Sequence, residues 1–305
     1  VPSSAPSYSV LARDPQTKEL AVATLTFASS SYKTFIWGDT PIGVLTLHSP
    51  ATQSFQAWDT QIWQQTHTAT ELVNILVQKD AYREYYQIAC LDNNARFAFF
   101  NGKKSLPQTR TILGSTYYIL ASLQPDSLII QRMAKVLESN SNVSLAERTV
   151  ASLLAALLEG SGSPEKQSAS LLVFTPASDL QATEGRLFNL KINNTPNALQ
   201  QLDTQMRRQL SYLYLRNGDQ AAREGNLQKA KDTYKKAADL FPNDTETQYW
   251  YGITLADHNL INEACLVLSE VFRKNTKWKE RTARLPADGL LHISKKDFER
   301  IMSLP

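Results

Sequence analysis

Tyr8-Ser9-Val10-Leu11-Ala12 and Glu19-Leu20-Ala21-Val22-Ala23-Thr24-Leu25-Thr26-Phe27 flank the hexapeptide Arg13-Asp14-Pro15-Gln16-Thr17-Lys18. The two outer runs are rich in β-branched and aliphatic residues, and the middle one is turn chemistry, so the whole reads as a β-hairpin. A third strand is expected from Ile42 to Leu47. The period then changes from two to 3.6: Phe55, Trp58, Ile62 and Trp63, followed by Leu72, Ile75 and Leu76, predict two helices. Thr68 or Thr70 caps the second, with Glu71 in its first turn.

Strands return at Tyr86 to Leu91 and Arg96 to Phe100 around an Asp92-Asn93-Asn94 turn, and again at Tyr117 to Leu120. Two amphipathic helices follow, near Ser127 to Leu137 and Leu145 to Leu158. After the loop Gly160 to Glu165, strands at Ser168 to Thr175 and Leu187 to Ile192 close the segment. Strands in groups, then helices in groups, predict antiparallel sheets with helices on their outer faces and exclude a βαβ nucleotide fold.

From Ala198 the pattern is helical to about residue 275. Tyr214, Gly218, Gly225, Ala230, Tyr234, Ala237 and Pro242 stand where tetratricopeptide repeats place aromatic, small, aromatic, Ala and Pro residues. A second copy follows 34 residues on, with Gly252, Leu255 and Ala264 in register and Leu268 and Val271 in place of Tyr234 and Ala237. Two such repeats are fewer than the three or so that stand alone. They are expected to pack on the first domain or on the tail Trp278 to Pro305. The division expected is 1–200 for the α/β part and 201–305 for the tetratricopeptide-type part.

Composition narrows the function classes. The 305 residues are 42% hydrophobic and 20% charged with a net charge of +3, the balance of an ordinary globular chain. Nothing in that charge invites nucleic acid. Val150 to Leu158 is far shorter than the roughly 20 apolar residues of a bilayer span. Cys90 and Cys265 read as buried free thiols, and none of the four histidines stands at ligand spacing, so neither metal nor cofactor is expected. An opening at Val1 without Met implies that something upstream was removed, by a signal peptidase or otherwise, and stretches rich in Gln, Thr, Ser and Asn fit a secreted or periplasmic protein better than a cytoplasmic one.

The run Ser7-Tyr8-Ser9-Val10-Leu11-Ala12-Arg13-Asp14-Pro15 resembles the opening of an uncharacterised bacterial family of Ntn-hydrolase-like proteins. Gly43-Val44, Arg83-Glu84-Tyr85 with Gln87, Asp92, Asn101-Gly102, Lys166-Gln167-Ser168-Ala169 and Asn189-Leu190-Lys191-Ile192 match in order, and Arg284 to Leu291 resembles the tail of members bearing helical repeats. The resemblance implies an α+β fold, a four-layer αββα Ntn-hydrolase-like sandwich, ahead of the all-α tetratricopeptide-type domain. In active Ntn hydrolases the first residue supplies both nucleophile and, through its α-amine, base. Ser7 matches that position.

Lys166 is the candidate anion anchor or oxyanion stabiliser, and His48, beside Ser49 at a strand end, the third catalytic candidate. Arg13, Ser9, Asn101, Gln167 and Ser168, all in or beside the matched motifs, are the candidate binding residues. Three departures oppose catalysis. Pro6 acylates the Ser7 nitrogen, Ile119 to Leu123 is apolar where Gln-Gly-Asn is expected, and Asn193, Asn194 and Thr195 replace two acids and a His. Two functions follow: a non-catalytic envelope or secreted protein binding a peptide or protein partner through its cleft or repeats, or a hydrolase of a small amide or peptide using Ser7 after loss of residues 1–6.

Overall fold

A computed structural model describes residues 6–27, 32–39, 43–50, 66–105, 108–123, 126–139, 143–157, 166–175 and 185–305. The helix expected around Phe55 to Trp63 and the Gly160 to Glu165 loop lie outside the described residues. The chain divides into two compact units at Met206/Arg207, inside one long helix.

The first unit is mixed α+β with two antiparallel sheets. Strands β1 (Ser7–Arg13), β2 (Leu20–Phe27), β3 (Tyr32–Asp39), β4 (Gly43–Pro50), β5 (Gln87–Asp92), β6 (Phe97–Asn101), β7 (Arg110–Leu113), β8 (Tyr117–Ser122), β9 (Gln167–Phe174) and β10 (Arg186–Thr195) form a six-stranded sheet β10-β9-β2-β1-β8-β7 and a four-stranded sheet β3-β4-β5-β6. The hairpin holds as expected, with Ser9 opposite Thr24 and Leu11 opposite Val22. Two strands were not expected, β3 and β7. Among the described residues each has one hydrogen-bonded neighbour; β7 is four residues long, and β3 carries Lys33, Thr34, Gly38 and Asp39, which mask a period of two. The third strand expected, Ile42 to Leu47, is β4.

Because side chains alternate across a strand, each sheet has an inner and an outer face. Leu11, Val22, Tyr118 and Phe174 of the first sheet pack against Val44, Ala89 and Leu91 of the second, so the sheets stack face to face. The outer face of the second sheet, through Leu45, Leu47, Ile88 and Cys90, packs on α1 (Ala69–Lys79). Thr68 caps α1 as expected, accepting from the Glu71 amide at 3.1 Å. Helices α2 (Ser127–Ser139) and α3 (Leu145–Leu157) pack together and against the first sheet.

In the second unit, α4 (Ala198–Arg223), α5 (Leu227–Asp239), α6 (Thr245–Asp257) and α7 (Ile261–Lys274) are followed by α8 (Lys277–Thr282) and α9 (Lys295–Met302). Residues 34 apart share burial: Ala230 with Ala264, Tyr234 with Leu268, Ala237 with Val271. Gly218 faces the Tyr234 ring so closely that a Cβ would overlap it; the missing side chain sets the helix spacing. The tail seals this core, burying Leu285, Leu291 and Ile301 and stacking Trp278 on Tyr249 at 4.4 Å. No described helix is long and apolar enough to cross a membrane.

Candidate functional site

One end of the inter-sheet space is apolar and the other is hydroxyl-rich. Beyond Leu11 and Val22, the inward row continues as Ser9 and Thr24 with Ser170, then Ser7 and Thr26 with Ser168, with Ser122 beside Ser7 on β8. The facing sheet contributes Thr46 from β4, then His48 flanked by Thr34 and Gln87. The switch falls within single strands, so the polar band arises from a few inward positions along otherwise apolar runs.

At its centre is a continuous hydrogen-bond chain. Ser9 Oγ lies 2.6 Å from His48 Nε2 and 2.9 Å from Thr46 Oγ1. His48 Nδ1 lies 2.9 Å from Ser122 Oγ. The Ser122 hydroxyl donates to Gln87 Oε1, and the Gln87 amide nitrogen donates to Thr109. These last two donations decide the rest. A hydroxyl carries one hydrogen, so Ser122 accepts from His48 Nδ1–H. His48 Nε2 then holds a lone pair, and the Ser9 hydroxyl donates to it. With its own hydrogen committed to His48, Ser9 has none for Thr46, whose single hydroxyl hydrogen faces both Ser9 Oγ at 2.9 Å and the Phe35 carbonyl at 3.3 Å.

His48, Ser9, Thr46, Gln87 and Ser122 are fully buried. Burial without an opposing charge lowers the His48 pKa from 6.5 to about 3, so the ring is neutral across the physiological range. A neutral hydroxyl and amide behind the imidazole offer no charge to stabilise an imidazolium, which a carboxylate in that place would.

Of the eight candidate residues, Ser9 and His48 are in direct contact. Ser7 is buried at the start of β1, in register with Ser122. Lys166 is exposed just before β9, and Asn101 is exposed on the edge strand β6. Ser168 accepts from the Asn194 amide at 3.1 Å. Gln167 points to the outer face, its Oε1 buried with no hydrogen-bond partner among the described residues. Arg13 lies at the apolar end of β1. Its neighbour Asp14 accepts from the Gln16 and Thr17 amides at 2.8 and 2.9 Å and pairs with Arg148 of α3. Burial pushes the Asp14 carboxyl up, but those amides and the guanidinium outweigh it and hold it below its usual range.

Thr46, Gln87 and Ser122 were missed as site residues; the signal available was an isolated polar residue at an inward position of an apolar strand. Of the segment Ile119 to Leu123, where the resemblance led to Gln-Gly-Asn, all but Leu123 belongs to β8, a buried strand with a neighbour on each side, which accounts for its mostly apolar character. Among the described residues no group of three or more His, Cys, Asp or Glu side chains is placed to hold a metal ion.

The second unit carries a groove of about 810 Å³ between α4 and α6, floored at the end of α5. Leu215, Phe241 and Trp250 give it an apolar lining, and Tyr212, 73% exposed, stands at its wall. The Arg281 guanidinium lies over the Trp250 ring, 5.0 Å from its centre.

A family model described as a family of unknown function, DUF1028, matches residues 7–202. The chain belongs to the DUF1028 family. A solved DUF1028 protein, SPO2555 from Silicibacter pomeroyi, is similar at 22% identity and a TM-score of 0.54, over 67% of this chain and 89% of that one; at that identity the likeness concerns the fold. No curated protein matches. Membership of an uncharacterised family was expected from the opening motif over about residues 7 to 198, and a family of unknown function matches over nearly that span. The DUF1028 segment contains the whole Ser9–His48 chain, and the groove residues from Arg208 onward lie beyond it.

Proposed function

We propose that this DUF1028 protein is a non-catalytic, degenerate Ntn-hydrolase-like sandwich joined to a tetratricopeptide-type unit, and that its work is to bind a peptide or protein segment in the groove of that unit. One observation carries the reading: Ser9, Thr46, His48, Gln87 and Ser122 are fully buried and neutral, whereas the groove presents aromatic and apolar surface to solvent. Exposed apolar surface of that kind is retained where something docks on it. The 34-residue repeat with its glycine-to-ring approach supports the tetratricopeptide assignment, and two face-to-face antiparallel sheets with outer helices support the Ntn-like one. The Gln-, Thr-, Ser- and Asn-rich composition favours a secreted or periplasmic site of action.

The test is selection of binders from a random peptide library on the full chain, followed by affinity measurement with Tyr212→Ala. Tyr212 has no hydrogen bond or ring contact among the described residues, so its loss leaves the fold intact. Selected peptides that bind the variant as well as the parent would sink the reading.

A second reading rests on the convergence of Ser7, Ser9 and His48 at one end of the inter-sheet space. In it the protein hydrolyses a small amide or peptide, with Ser7 as nucleophile and its own α-amine as base once residues 1–6 are removed. A chain made to begin at Ser7 and screened against amide substrates tests it, with Ser7→Ala as the control. Turnover that survives that substitution rules it out.

A further inference from the structure

Two opposite charges line the groove without being used by the protein. Arg208 on α4 and Glu246 in the first turn of α6 are both exposed and both line it. Among the described residues neither side chain makes a hydrogen bond or an ion pair. This departs from the pattern around them, where Lys231 pairs with Glu263, Lys235 with Asp239 and Arg273 with Glu270. Asp244, the other carboxylate at the groove, is committed to capping α6 through the Glu246 and Thr247 amides. Glu246 is therefore the acid with its full acceptor capacity open to a ligand.

The groove's length fixes the size of what it reads. From Arg208 to Leu215 the α4 wall runs about 10 Å at 1.5 Å per residue, the reach of about three residues of extended chain. Leu215 and Phe241 give it apolar lining, and the Tyr212 ring supplies an exposed face. A ligand matching all of this carries one acid for the Arg208 guanidinium, one base for the Glu246 carboxylate, and an apolar side chain for the lining.

Resting on the groove-binding reading above, we infer that Arg208 and Glu246 are specificity residues and that the groove selects a short extended peptide segment that carries an acidic, a basic and an apolar or aromatic residue. Arg208 holds the acid, preferably in the two-pronged geometry that guanidinium and carboxylate share. Glu246 holds the base, and Tyr212 covers the apolar side chain.

Charge reversal separates this inference from the reading beneath it. Peptides selected on the full chain are expected to be enriched in one acid, one base and an apolar residue. Arg208→Glu is expected to weaken such a peptide about tenfold or more, the order for a charge-assisted contact, and replacing the peptide's acid by Lys is expected to restore it. Glu246→Lys is expected to mirror this on the basic position. If Tyr212→Ala abolishes binding while both reversals stay within about twofold of the parent, the charge assignment fails and groove binding stands. If all three variants bind like the parent, or no peptide is enriched, both fail. Both charged side chains are exposed, and a helical circular dichroism spectrum matching the parent's establishes that the variants fold.

Discussion

Ser9 on β1 donates its hydroxyl hydrogen to His48 Nε2 on β4 across 2.6 Å of inter-sheet space, and the direction of that bond is set two residues away by Gln87. The pair has the distance of a nucleophile and its base, yet it sits in a fully buried chain of neutral groups. What it does for stability and for proton placement is open to direct measurement.

His48 is expected to make folding acid-sensitive. Its folded pKa is depressed from 6.5 to about 3, so between those values the unfolded chain takes up a proton that the folded chain refuses. Its contribution is present in full above pH 6.5 and is lost as pH falls toward 3, by a few kcal/mol on the scale of 1.36 kcal/mol per pH unit. Urea unfolding at pH 7 and pH 4 should show a larger loss for the parent than for His48→Gln.

The Nδ1–H tautomer of His48 is expected in long-range nitrogen–proton spectra at neutral pH. Ser122→Ala removes the acceptor and leaves that buried N–H without a partner, at a cost of about 1–3 kcal/mol. A spectrum showing Nε2–H in the parent would reverse the proton order assigned along the chain.

Asp92 is buried and accepts from the Ala69 and Arg96 amides at 3.1 and 3.0 Å and from Arg96 Nε at 2.8 Å. It joins the start of α1 to the β5–β6 turn. Asp92→Ala is expected to cost about 3 kcal/mol or more by stranding these donors, measurable as a lower urea midpoint with unchanged slope.

In the helical unit, Gly218→Ala drives a methyl into the rigid Tyr234 ring, whereas Gly252→Ala meets the flexible end of Leu268, 2.6 Å from Cδ2. Overpacking of this kind costs about 1–3 kcal/mol. The first substitution is expected to lower the melting temperature more than the second.

Cys90 is buried under α1, and burial together with the nearby Asp92 raises its thiol pKa. Cys265 is partly accessible. A thiol reagent at neutral pH should modify one cysteine in the native protein and both in denaturant.

The hairpin from Tyr8 to Phe27, the cap at Thr68, the paired helices after Ser127 and the 34-residue spacing from Gly218 to Gly252 were all legible in the chain itself. Each is a local relation, fixed by periodicity, turn chemistry or a missing side chain within one element and its neighbour. β3 and β7 were not legible: β7 has only four residues, and β3 mixes Lys33, Thr34, Gly38 and Asp39 with its aromatics so that no clean alternation marks it.

The site divides the same way. Sequence reading singled out Ser9 and His48 separately, but their contact, and the roles of Thr46, Gln87 and Ser122, depend on stacking two sheets whose strands lie far apart in the chain. Inward-facing polar residues on four strands meet only once that stacking fixes the register between layers. The groove is likewise a tertiary product. The repeats were visible in sequence, but the pairing of surface charges elsewhere, which leaves Arg208 and Glu246 open, is decided by where helix packing brings each side chain.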